Sequence, residues 1–547
     1  MTSERRRENI ICHMQLLTIF TTVCVLAMAG CTSIGQGSQA SGTPSSDTVV
    51  RDCVDHFNRL DAAIDDADVR DGAEARVPGF PYLRVNRFLA SFVTDPGILQ
   101  PDADTTFQAW MDAMRELDRV SRDVEISNLP AVSASAITGI SKKEMHTKTS
   151  ACAMLMMSAD ADKANDSAKR KAIIGAINVS DDYSTFKRAL GIYPLAKYPF
   201  FRGVEGWQHN AALTMQGVLS KAPTKMRIAR YVPLTGPSIP QSIENIISKF
   251  KRADKNALGT ATTTAFSDAD WQKLFETYAP IYEIETATDD DRIGALQWRT
   301  GTETNRIQDN IPVVNTDRPT SYRRVAYTRI NGKTFTQLVY SVWFPSRPRG
   351  QPLDLLSGSL DSIIWRVTLD EDGTPVIYDS IHACGCYHMF FPTSRMQLKP
   401  APAAHIEWAF VPIAMPAVEA TQRITLRLAA ESHYIVGVGV APGKNSNAEN
   451  PDIVYEWRDD DELRKLDAGR DQTRSIFESS GIIAGTERGE RFFFWPMGID
   501  SSGAMRQWGR HATAFVGIRH FDDADLFDLR FKLVQPDITK STIVNQH

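Results

Sequence analysis

Apolar positions change their spacing once along this chain, near residue 275. Upstream they recur at helical intervals: Phe107, Trp110, Met111, Met114 and Leu117 fall on one stripe behind Asp104, with Asp and Arg opposite. Ile243, Ile246, Ile247 and Phe250 repeat that stripe on a smaller scale. Between Tyr183 and Trp207 an aromatic-rich segment holds Pro194 and Pro199, which predicts a packed irregular loop rather than one long helix. Pro233, Pro237 and Pro240, followed by a polar stretch to Thr264, mark a boundary. Beyond it the period moves towards two. Asn331-Gly332 between Arg324–Ile330 and Phe335–Phe344 predicts a hairpin, and Asp372-Gly373 predicts a second between Ile363–Leu369 and Pro375–Ile381. Ile406–Ile413, Ile424–Leu428, Tyr434–Val440, Ile453–Trp457, Phe492–Trp495 and Ala514–Ile518 read as further strands. The fold class expected is α+β: a mainly helical region over 48–260, then a β-rich, mainly antiparallel, sandwich-like domain over 270–540.

Composition narrows the class without naming a reaction. Of 547 residues, 42% are hydrophobic and 23% charged, as in ordinary globular proteins. The net charge of −5 offers no basic stripe for nucleic acid.

The N-terminus supplies an address. Met14–Gly30 carries no charge and follows Arg5, Arg6 and Arg7, the order of a basic segment and an apolar segment in an export signal. It closes on Met28-Ala29-Gly30-Cys31, which resembles the lipobox of bacterial lipoprotein precursors. The resemblance implies that residues 1–30 are a signal peptide and that Cys31 becomes the first mature residue. It implies diacylglycerol on the Cys31 sulfur and a further acyl chain on its amine. Two or three chains anchor stably where one is marginal, so the implied partner is a lipid bilayer. Thr32 in the following position implies the outer membrane, with the body facing the periplasm. Residues 32–47 are small and polar, so 31–47 reads as the lipidated cysteine and a flexible tether. The rival is an uncleaved membrane helix, but the run falls short of the ~20 residues that span a bilayer. The body is similar to uncharacterised lipoproteins of Gram-negative bacteria, which implies no activity.

Cysteine usage follows from that address. Cys12 and Cys24 leave with the signal and Cys31 is acylated, leaving Cys53, Cys152, Cys384 and Cys386. An oxidising compartment favours disulfides, and four cysteines allow three pairings. The pairing favoured is Cys53 with Cys152, both in predicted helices. Cys384 and Cys386 are then left to each other or to a metal.

The densest reactive run is His382-Ala383-Cys384-Gly385-Cys386-Tyr387-His388. His382, Cys384, Cys386 and His388 alternate, but a flat strand would spread the outer pair ~20 Å apart, too far for one ion. A tight turn at Gly385 would gather the thiols with one or both imidazoles, a donor set suited to zinc or Cu(I). A Cys384–Cys386 disulfide needs the same turn, and a buried strand with two unpaired thiols is the plainer outcome. The spacing is wrong for c-type haem.

A second block, Arg506, Trp508, Arg510 and His511 followed by His520 and Asp522, has the residue types of an anion clamp with a stacking ring and a histidine–carboxylate pair. Arginines paired with the chain's own carboxylates around a core Trp are the plainer outcome. Gly437–Asn445 misses the phosphate-loop pattern by one position and reads as a strand entering a turn. Asp66–Gly72 misses a calcium loop because Arg70 stands at a ligand position, and reads as a solvated helix face. Cys152 with Met154, Met156 and Met157 reads as core. No nucleophile elbow, zinc-protease or dinucleotide pattern is present. The function expected is a membrane-anchored periplasmic lipoprotein with a binding or structural role. The alternative is a zinc, copper or thiol-redox protein built on the 382–388 cluster.

Overall fold

Local chemistry sets the central hairpin. Asn331 (φ 51°) and Gly332 (φ 74°) are both left-handed, as the two-residue turn requires, and Ile330 pairs with Lys333 across it. The computed structural model describes residues 46–534 apart from 100–103, 131–138, 162–166, 218–225, 235–247, 252–257, 260–265, 300–311, 353, 404, 417, 419–421 and 443–450. The signal segment, Cys31 and nearly all of the tether lie outside the described residues, as does most of the 241–250 stripe.

Ten strands form one sheet: β1 (Arg227–Pro233), β2 (Ile281–Thr286), β3 (Thr320–Ile330), β4 (Lys333–Arg347), β5 (Gly358–Leu369), β6 (Pro375–His382), β7 (Met389–Pro392), β8 (Gln422–Leu428), β9 (Ile435–Pro442) and β10 (Ile453–Asp459). Their order is β7-β6-β5-β4-β3-β10-β1-β2-β8-β9. Both predicted hairpins are present as β3–β4 and β5–β6. Most neighbours pair antiparallel as expected, but the strands form a single mixed sheet rather than a sandwich: β10 runs parallel to both β3 and β1, and β8 runs parallel to β2. Parallel neighbours are joined by long crossovers without a turn signature, so the residues between them do not announce the pairing. Strand β4 is buried on both faces. Leu338, Tyr340, Val342 and Phe344 enter one core, and Val339 and Trp343 enter another with Leu463, Met505 and Phe521.

Helices α1 (Ser46–Asp66), α2 (Asp104–Asn128) and α3 (Lys142–Ala161) occupy the predicted helical region. Phe107, Trp110, Met111 and Met114 are buried along α2 as its stripe requires. Cys53 on α1 and Cys152 on α3 form the expected disulfide pair, their Cα atoms 5.2 Å apart. Val50–His547 forms one compact unit, to which this region contributes β1 as well as helices. Buried ion pairs run through the helical layer: Arg84 donates to Glu125 at 2.7 Å and to Asp118 at 3.2 Å. Asp71 is buried against Arg464 and Gln507, not on a solvated helix face.

Other expectations are corrected. The Tyr183–Trp207 loop is instead a short helix, α4 (Thr185–Leu190), and a long one, α5 (Tyr193–Met215), with Pro199 inside it. Pro194 sits in the first turn of α5, where no amide donor is lost. Phe492–Trp495 turns as the short helix α6 (Arg491–Phe494) rather than extending, and 406–413 and 514–518 are irregular. No helix among the described residues is long and apolar enough to cross a membrane.

Candidate functional site

Strand β6 runs into the Cys384–His388 turn because glycine permits it. Gly385 has φ 91°, and a Cβ there would stand 2.3 Å from the Ala512 carbonyl oxygen. Gly385 N donates to His382 O at 2.8 Å, and His382 N donates to Cys386 O at 3.0 Å. Arg506 N donates to Ala383 O at 2.9 Å, fastening the second sequence block to the first.

The turn forms one wall of a cavity of about 480 Å³. Cys384, Cys386, Tyr387 and His388 face it, and α5 closes the opposite side with Phe200, Val204 and Trp207. Glu490, Phe494, Ser502 and the 512–515 segment complete the lining, with the Glu407–Arg519 pair beside them. Trp207 holds α5 in place through Tyr387 and Phe410, at ring separations of 5.0 and 5.7 Å. A mostly apolar cavity with a few converging polar groups is the usual form of a small-molecule site. A smaller cavity of about 180 Å³ lies behind Trp207, Tyr387 and Tyr434, and His382 lines it.

Three residues that line the larger cavity carry polar groups with unused hydrogen-bonding capacity. Within the described residues no hydrogen bond or ion pair engages the Glu490 carboxyl, and Ser502 Oγ and His388 Nδ1 have no partner. Burial lifts the Glu490 carboxyl to about 7 against the pull of Arg488 and Arg347, with Asp361 adding to the rise. His388 Nε2 lies 2.9 Å from Asp379, which is clamped by Arg366 at 2.6 Å. Burial drops the His388 imidazole to about 3, so it is neutral. With Nε2–H donated to the ionised Asp379, Nδ1 is left as a bare acceptor. The Cys386 thiol is pushed well above its ordinary range by its hydrogen bond with Cys384 and then by burial. Cys386 is therefore held as a thiol, a poor nucleophile and a poor metal ligand.

His382, Cys384, Cys386 and His388 do not meet at one point among the described residues. The turn at Gly385 does gather both thiols, but each histidine turns to a carboxylate. His382 Nδ1 lies 3.2 Å from Asp361, which also meets His433 at 2.9 Å and Arg488 at 3.3 Å. Among the described residues no group of three or more His, Cys, Asp or Glu is placed to hold a metal ion.

The Arg506–Asp522 block is spent on internal contacts rather than on a ligand surface. Arg510 pairs with Asp182 at 2.9 Å, His520 lies 3.5 Å from Asp181, and Asp522 meets Arg87 at 3.5 Å. Arg506 donates to the Asp500 carbonyl, while Trp508 and His511 meet Phe521 edge-on. Burial and Arg506 drop His511 to about 3. The two sequence blocks nonetheless converge, since Thr513 and Arg519 line the cavity that Cys384 and Cys386 face. Glu490, Trp207 and Tyr434 carry no motif; only the fold puts them there. No family model matches the chain, and neither a curated protein nor a solved structure does.

Proposed function

We propose that this protein is a periplasm-facing outer-membrane lipoprotein, acylated at Cys31, that binds a small, largely apolar molecule in the cavity between α5 and the Cys384–His388 turn. The observation that carries the binding role is a mostly apolar, aromatic-walled cavity lined by the Glu490 carboxyl, which no hydrogen bond or ion pair engages among the described residues. Buried polar groups are ordinarily satisfied, and a ligand's own donor would satisfy this one. The Met28-Ala29-Gly30-Cys31 pattern supports the anchor. Mass spectrometry of the native chain tests it: an acylated Cys31 start is expected, and an intact Met1 overturns the address. For binding, the probe is the fluorescent apolar amine N-phenyl-1-naphthylamine. Saturable enhancement is expected, lost in Val204→Trp, which fills the cavity from α5. Equal enhancement in the filled variant refutes the site.

One observation favours a second reading, a thiol-redox or zinc/copper protein: Cys384 and Cys386 touch each other at the wall of an open cavity. Thiol titration and metal analysis of protein made in the periplasm separate the two. Two free thiols without metal favour the binding role. Stoichiometric zinc or copper, lost in Cys384→Ser/Cys386→Ser, favours the second.

A further inference from the structure

The cavity borders an exposed apolar face. Phe186 (75% exposed), Leu195 (70%), Phe492 (68%) and Phe493 (59%) stand in solvent, far from the burial such side chains ordinarily reach. The elements that carry them are packed side by side. Gly191 abuts Pro496, Arg188 Nε donates to Met497 O at 2.8 Å, and Phe200 meets Phe494 at 5.4 Å. Phe200 and Phe494 also line the cavity, so this face and the site are continuous.

The face carries more base than acid. Thr185–Glu205 sets Lys187, Arg188, Lys197 and Arg202 against Glu205, and Arg491–Asp500 adds Arg491 and Asp500, in a chain of net charge −5. Lys187 pairs with Asp500 and Arg188 is held by backbone carbonyls, while Lys197 and Arg491 lie over the Tyr198 and Phe492 rings without a carboxylate partner among the described residues, beside Arg202. Exposed rings and aliphatic chains interspersed with cations are the composition of an interfacial membrane-binding surface. A Trp at its edge, here Trp495, suits the headgroup layer.

We propose that this face docks on an anionic phospholipid surface, bringing the cavity mouth to the lipid so that the apolar ligand enters from it. The inference rests on the lipid-anchored reading for proximity: a tether from 32 to the start of α1 at Ser46 reaches roughly 20 Å on average and at most ~50 Å. A body held at that range meets a bilayer at high effective concentration.

The test uses the full chain in vesicles containing brominated phospholipid, which quenches only fluorophores inserted among the lipids. Trp495→Phe, measured in parallel, isolates the Trp495 contribution. Quenching of Trp495 is expected in phosphatidylglycerol vesicles, at least threefold weaker in phosphatidylcholine, and abolished by Phe492→Asp/Phe493→Asp. Because these rings are exposed, the double variant is expected to fold and to stay with the vesicles through its N-terminus. Co-flotation of the wild type without Trp495 quenching overturns the docking and leaves the anchor standing. Quenching that survives the double variant overturns the assignment of the face. Failure to co-float overturns docking and anchor together. Self-association abolished by the double variant, without quenching, gives the face to a second copy and overturns the lipid proposal.

Discussion

Replacing Glu490 by Gln is expected to stabilise the protein at pH 8 and to leave it nearly unchanged at pH 5. The side chain is 5% exposed, so solvent screens it little. Burial raises its pKa from the ordinary 4.5 to about 7, opposed by Arg488 and Arg347 and reinforced by Asp361. In the unfolded chain the same carboxyl ionises near 4.5. Between those values the folded state keeps a proton that the unfolded state has released. Stability therefore declines as pH rises from 4.5 to about 7, and the full cost persists above that. At 1.36 kcal/mol per pH unit the displacement corresponds to roughly 3 kcal/mol. Glutamine has nearly the same shape and no charge to desolvate. Urea denaturation of both proteins at pH 5 and pH 8 measures the effect, and every other titrating group cancels in the comparison. A gain of about 2–3 kcal/mol confined to the higher pH is expected. An equal difference at both pH values would refute the reasoning, because it would mean that Glu490 ionises normally in the folded chain.

Three further outcomes follow from the packing. Gly385→Ala is expected to cost more than ~2 kcal/mol, since its Cβ meets the Ala512 carbonyl and its φ is left-handed. Displacement of the turn should speed the reaction of Cys384 and Cys386 with Ellman's reagent; unchanged kinetics would count against the contact. Cys53→Ser/Cys152→Ser opens a loop closed across 99 residues and should lower stability by roughly 2–5 kcal/mol in denaturant, an effect mimicked by reductant in the wild type alone. Arg464→Met leaves Asp71 and Glu74 buried without their cation and should cost ~3–5 kcal/mol near neutrality. Burial opposes ionisation of Asp71, but Arg464 and Arg84 outweigh it and hold the carboxyl below its ordinary 3.8. Its contribution is thus present above that value and lost as pH falls further, so the gap between variant and wild type should narrow in acid.

Short-range features were legible in the sequence because their physics is short-range. The α2 stripe needs only neighbours three and four residues away, and the Asn331-Gly332 turn only its own dihedral angles. The Cys53–Cys152 pair was legible because both cysteines fall in predicted helices of one region. Gly385 was legible as the pivot on which the two thiols meet, although not as the residue pressed against Ala512. Pro199 misled because a proline's local penalty was weighed without Trp207, which packs α5 against Tyr387 and Phe410.

Tertiary structure alone decided the strand order, the fate of the histidines and the site. Strand β10 finds β3 and β1 through crossovers whose closure depends on the whole core, not on any turn. His382 and His388 face Asp361 and Asp379 because buried imidazoles and carboxylates satisfy one another, a choice no spacing encodes. Glu490 looks like any surface glutamate in the sequence. It becomes a carboxyl that titrates near neutrality only because segments hundreds of residues apart exclude water from it. Desolvation is a property of the assembled environment, and for that reason the site could be found only in the fold.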